Sequence, residues 1–96
     1  MAIWVGLLTL EIQVPDAASL KDKRQVLRSL TRRLRNQFNV SVAEVDRQDS
    51  WQMAVLAVVC VSADRRYSQG LMSQVVSFIE SGRFDLVLLD YQTEFL

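Results

Sequence analysis

Two runs of this 96-residue chain, residues 3–14 and 51–62, are rich in Val, Ile and Leu and stay apolar on both side-chain parities for much of their length. Successive side chains of a strand point to opposite faces, so a strand that is apolar on both belongs in the middle of a covered sheet. Whatever this chain folds into must therefore hold two central strands. In the first run the pattern changes at Thr9: Thr9, Glu11 and Gln13 face one way, while Leu8, Leu10, Ile12 and Val14 face the other. That alternation turns the even-numbered side toward helices, and Pro15 and Asp16 break the run.

The remaining segments have different periods. Over residues 19–37, Leu20, Val26, Leu27, Leu30 and Leu34 share one helical arc, and Lys21, Arg24, Arg28, Arg32 and Arg35 share the nearly opposite one. Ser19 and Asp22 form a shortened capping box at its start. Lys23 projects toward the apolar arc, where a cation either snorkels to the edge or pairs with a carboxylate, and Arg33 lies at the margin. Residues 40–46 and 51–62 read as strands joined by a hairpin through Arg47, Gln48, Asp49 and Ser50. A second helix, capped by Ser62 or Asp64 and ended by Ser81 and Gly82, buries Tyr67, Leu71, Val75, Phe78 and Ile79, with Gly70 weakening its middle. A last strand begins over residues 84–89 and becomes polar through Asp90, Gln92 and Glu94. The order βαββαβ predicts a single α+β domain spanning residues 1–96, with a ferredoxin-like fold. Four antiparallel strands carry both helices on one face, with the first and third strands central.

Composition removes several classes of chemistry. There is no histidine, and Cys60 is the one cysteine, set in an apolar run, so an intrachain disulfide, a thiol cluster and histidine acid–base work are excluded. The apolar start, residues 2–10, has no basic segment before it and is far too short to cross a bilayer, which predicts a cytoplasmic protein without a membrane role.

Residues 19–24 (Ser-Leu-Lys-Asp-Lys-Arg), 38–45 (Phe-Asn-Val-Ser-Val-Ala-Glu-Val), 49–52 (Asp-Ser-Trp-Gln) and 78–80 (Phe-Ile-Glu) resemble the YlxP-like family of small bacterial proteins, in order and across almost the whole chain. The resemblance implies a ferredoxin-like fold and carries over no catalytic residues, because the family is of unknown function. Its genes commonly lie among those for translation initiation and ribosome maturation, which implies by association a role near RNA or the ribosome. The stretch after Gly82 matches less distinctively, so the last strand rests on periodicity alone.

Charge supplies the leading site. The first helix holds seven basic residues and one acidic (+6), leaving four basic and ten acidic elsewhere (−6), so the net charge of +0 conceals a dipole. Lys21, Lys23, Arg24, Arg28, Arg32 and Arg35 are the candidate nucleic-acid or anion-binding residues, five of them on one arc. A solvated helix face is the plain alternative. It leaves unexplained why like charges recur at i,i+4, which costs a few tenths of a kcal/mol per pair. A discrete anion at the helix start competes with capping by Asp22, and capping is the simpler reading.

Glu44, Asp46 and Asp49 put three carboxylates around one strand and turn, with Glu44 and Asp46 on one face by period two. No nucleophile–base pair accompanies them, and edge protection explains them without chemistry. Trp4 and Trp51 invite comparison with base-stacking aromatics, but the basic–glycine–aromatic signature of RNA-recognition strands is missing. The odd-numbered face, with Val5, Leu7, Val55 and Val59, is instead apolar enough to predict a homo-oligomer interface. The sequence thus points to a non-enzymatic accessory protein without cofactor or metal, touching RNA or a ribosomal surface through its first helix. The alternative is a homodimeric protein-interaction module that uses the sheet face.

Overall fold

A computed structural model describes all residues, 1–96. Its elements are β1 (Trp4–Gln13), α1 (Leu20–Gln37), β2 (Ser41–Asp46), β3 (Met53–Ser62), α2 (Arg65–Ser81) and β4 (Val87–Phe95). The sheet is antiparallel throughout in the order β2-β3-β1-β4. This is the ferredoxin-like arrangement read from the sequence, with the two doubly apolar runs as the central pair. They align across their full length, Leu8 opposite Val58 and Leu10 opposite Leu56.

The even-numbered side of β1 and β3 is the core. Leu8, Leu10, Ile12, Ala54, Leu56, Val58 and Cys60 are buried against Leu27, Leu30 and Leu34 of α1 and Leu71, Met72, Val75, Val76 and Ile79 of α2. The odd-numbered side is open, and its central residues are half-buried by one another. Ser19 caps α1 by accepting from the Asp22 N–H at 3.1 Å, while the Asp22 carboxylate accepts from the Ala18 N–H at 3.0 Å. Asp64, not Ser62, caps α2, accepting from the Arg66 N–H at 2.9 Å; the Ser62 hydroxyl instead contacts Ser68 at 2.6 Å.

Four expectations are corrected. Tyr67 is 57% exposed, because the buried stripe of α2 is rotated to Ser68, Met72 and Val76. Residues 51 and 52 belong to the turn, where the Ser50 hydroxyl accepts from the Met53 N–H and delays the start of β3. Phe84 precedes β4 and packs on Phe78, their centroids 5.9 Å apart. Glu44 and Asp46 do not share a face: the register of β2 slips between them, so that Glu44 lies opposite Leu56 on the helix side and Asp46 opposite Val55 on the open side. A bulge inserts one extra residue and reverses the alternation. The same device acts in β4, where Leu88 pairs with Ile12 but Asp90 pairs with Glu11.

Candidate nucleic-acid interface

α1 lies over the β3 and β2 side of the sheet, and its outer flank and the β2 edge enclose a groove of about 650 Å³. Arg24, Arg28, Arg32 and Arg35 line one wall, Val42, Ala43 and Glu44 the other, and Leu27 and Leu56 lie beneath. The placement follows from helix geometry: with Leu27, Leu30 and Leu34 locked into the core, residues 24, 28, 32 and 35 are carried to the flank facing the edge strand. Residues four apart along a helix rise by about 6 Å, so Arg24, Arg28 and Arg32 leave the helix at even spacing along one flank. Arg35 closes its end, donating from Nη2 to the Val42 carbonyl at 2.9 Å. A guanidinium has five N–H donors, so that bond leaves most of its capacity free. Lys21 stands exposed near the start of the helix.

Lys23, expected among the anion-binding residues, is not available to a ligand. Its side chain is 0% exposed, and Nζ donates to the carbonyls of Arg47 (2.8 Å), Met53 (3.0 Å) and Gln48 (3.4 Å). Glu44 Oε2 lies 3.1 Å from the same nitrogen and makes no aligned hydrogen bond, so the carboxylate balances the charge while carbonyls take the protons. Of the two outcomes open to a cation on the apolar arc, pairing is the one realised. Lys23 bolts α1 to the β2–β3 hairpin, and Glu44 is its counter-ion rather than a guard on the strand edge. Arg33, at the arc's margin, is also engaged, its guanidinium 4.5 Å from the Phe84 ring centroid and 5.5 Å from that of Phe78.

Lys23–Glu44 is the only close ion pair in the chain. Lys21, Arg24, Arg28, Arg32 and Arg35 are therefore exposed cations without a carboxylate partner. The acidic trio does not converge. Glu44 is turned inward, the Asp46 carboxylate accepts from the neighbouring Arg47 N–H at 2.7 Å, and no group of three or more acidic or cysteine side chains is placed to hold a metal. Trp51 is exposed on the hairpin, and Trp4 sits at the far end of the sheet with Arg65 5.5 Å from its ring. They share no surface for stacking bases. Val5, Leu7, Val55 and Val59, the expected oligomer interface, do share the open face, half-buried.

With this geometry in view, comparison with known proteins decides the family. Residues 5–93 match the family described as "Protein of unknown function (DUF503)". This chain belongs to that family. A Bacillus subtilis (strain 168) protein described as "Uncharacterized protein YlxP" is 38% identical over 77 residues, covering 80% of this chain and 84% of that one. Among solved structures, the de novo designed protein Foldit4 superposes with a TM-score of 0.56 at 12% identity, covering 98% of this chain and 96% of its own, a likeness of fold alone. Another designed protein, Ferredog-Diesel, gives a TM-score of 0.46 at 5% identity, over 94% of this chain and 83% of its own.

The segments that carry the family resemblance turn out to hold the fold together. Ser19 and Asp22 cap α1, Lys23 and Glu44 join it to the hairpin, and Ser50 shapes the turn. Gln52 Nε2 donates to the Pro15 and Ala17 carbonyls at 3.2 and 3.3 Å, tying the β1–α1 loop to the start of β3. Phe78 meets Phe38 edge-on, centroids 5.6 Å apart. The Ser19–Asp22 cap was legible from the sequence, its partners being three residues apart, whereas the roles of Glu44, Gln52 and Phe78 were not, because their partners lie far away along the chain.

Proposed function

We propose that this protein is a non-enzymatic accessory factor that binds RNA, including RNA presented on a ribosomal surface, through the exposed flank of α1. The observation that carries the reading is the file of Arg24, Arg28, Arg32 and Arg35 along a groove wall, none of them ion-paired, the one carboxylate of the groove, Glu44, being turned onto Lys23. Folding gains nothing visible from Arg24, Arg28 and Arg32, since like charges at i,i+4 repel; a polyanion gains several contacts from the file at once. The helix beneath is held by Leu27, Leu30, Leu34 and the Lys23 bolt, so the backbone that carries the cations is fixed and only their side chains need ordering on binding. Phosphate contacts of this kind position a strand without reading its bases, and no aromatic side chain lines the groove to add stacking. The reading therefore assigns affinity to charge, gives weak sequence preference, and sets the protein in the cytoplasm with its RNA. No helix is long and apolar enough to cross a membrane.

The test is capture of partners from a bacterial lysate on immobilised protein, with and without prior nuclease digestion. Ribosomal RNA or particles retained by the wild type, lost after nuclease and lost with Arg28→Glu/Arg32→Glu support the reading. Partners that survive nuclease and the double substitution contradict it.

A further inference from the structure

The four strands contain five carboxylates, Glu11, Glu44, Asp46, Asp90 and Glu94, and no lysine or arginine. Glu44 is turned inward onto Lys23, and the bulges in β2 and β4 bring Asp46, Asp90 and Glu94 to the open face with Glu11. Glu11 and Asp90 are direct cross-strand neighbours, an arrangement of like charges that costs stability and that folding alone does not ask for. Glu11, Asp90 and Glu94 thus form an acidic margin on the β1–β4 side, with Asp46 alone at the opposite edge, and beside that margin runs an apolar strip on the central strands. Val5 lies opposite Val61 and Leu7 opposite Val59, with Ala57 and Val55 continuing along β3. Val61 is 65% exposed.

We propose that the open sheet face is a docking surface for a cationic amphipathic helix of a partner protein. Two neighbouring strands span about 10 Å, the width of one α-helix, so a single helix laid along β1 and β3 covers the apolar strip. A basic flank on that helix then falls over Asp90 and Glu94 of β4, while the small residues Ser41 and Ala43 of β2 leave room on the other side. Charge decides against the competing occupants. RNA is repelled by four carboxylates with no cation among them. A second copy of this chain, stacked face to face, would bring two such sets together without a counter-ion, and desolvated unpaired charges oppose association strongly. The proposal stands independently of RNA binding, because it uses the opposite face of the sheet from α1.

The experiment titrates the full chain with three fluorescein-labelled 18-residue peptides: a Leu/Lys helix with one apolar stripe, its Leu/Glu counterpart, and a Leu/Lys sequence of the same composition without a stripe. The striped Leu/Lys peptide is expected to bind with Kd of about 10 μM, shifting the NMR signals of Val5, Leu7, Val55 and Val59. Its affinity is expected to fall about tenfold in Glu11→Gln/Asp90→Asn/Glu94→Gln and not to weaken in Arg28→Glu/Arg32→Glu, which separates it from the RNA reading. Leu7→Lys, expected to stay folded because residue 7 lies on the open face opposite Glu94, is expected to abolish it. Equal binding of the stripeless peptide, shifts confined to α1, absence of binding, or sedimentation showing the free protein already closed into a dimer that Leu7→Lys dissociates would each overturn the proposal.

Discussion

Replacing Lys23 by Met removes the one buried cation and keeps the apolar stem, so its effect isolates the charged contact. The substitution leaves the carbonyls of Arg47, Gln48 and Met53 without their donor and the Glu44 carboxylate without its counter-ion, around a side chain that was 0% exposed. Removing one partner of a buried pair costs about 3–5 kcal/mol, a large share of the roughly 5–15 kcal/mol that holds a small domain folded. At about 4–8 °C per kcal/mol for a domain of this size, the midpoint of thermal unfolding should fall by at least about 12 °C. Glu44→Gln should cost less, about 1–2 kcal/mol, because Lys23 keeps its carbonyl acceptors. Lys23→Met/Glu44→Leu should recover part of the loss, since no carboxylate is then stranded, and Lys21→Met should stay within about 0.5 kcal/mol of wild type. Urea unfolding with m-values compared across the series measures all four. Lys23→Met within about 1 kcal/mol of wild type, or Glu44→Gln as damaging as Lys23→Met, would refute the account of Lys23 as the bolt between α1 and the hairpin.

Gly70→Ala should stabilise the protein by about 1 kcal/mol, because a Cβ at this exposed mid-helix position meets nothing within 4 Å; a thermal midpoint raised by several degrees checks it. Leu56→Lys should unfold the domain, being 1% exposed, whereas Leu7→Lys on the open face should leave a native circular dichroism spectrum and a cooperative melt. Arg33→Ala should lower stability by about 0.5–1 kcal/mol through loss of its contacts with Phe78 and Phe84, measured by urea unfolding, and should leave RNA binding by the exposed arc intact.

The central pair of strands was legible because β1 and β3 are apolar on both parities, a condition that this topology meets only in the middle of the sheet. α1 was legible for a similar reason: its apolar and basic residues separate cleanly at helical period. What periodicity could not reveal were two bulges. Simple alternation puts Leu88, Asp90, Gln92 and Glu94 on one face, but the extra residue at Leu89 leaves Leu88 toward the core and turns the three polar residues outward. The same slip after Glu44 separates it from Asp46, so the acidic group read as one cluster serves two purposes. The fate of Lys23 was half legible. Its place on the apolar arc demanded an unusual partner, but that partner is 21 positions away, and three of its four contacts are backbone carbonyls with no sequence signature. Tyr67 was misassigned because a helical stripe wide enough to include it also includes Ser68, and the Ser62–Ser68 contact settles the rotation.

The salt dependence of RNA binding tests most directly whether the file of Arg24, Arg28, Arg32 and Arg35 meets phosphates as proposed. For a single-stranded ribosomal RNA fragment, about four contacts predict a slope of log affinity against log salt near −3, each lost contact reducing it by about 0.7, so Arg28→Glu/Arg32→Glu should both weaken binding and bring the slope to about −1.4. Wild type and double variant binding with the same affinity at about 50 mM and about 200 mM salt would contradict it.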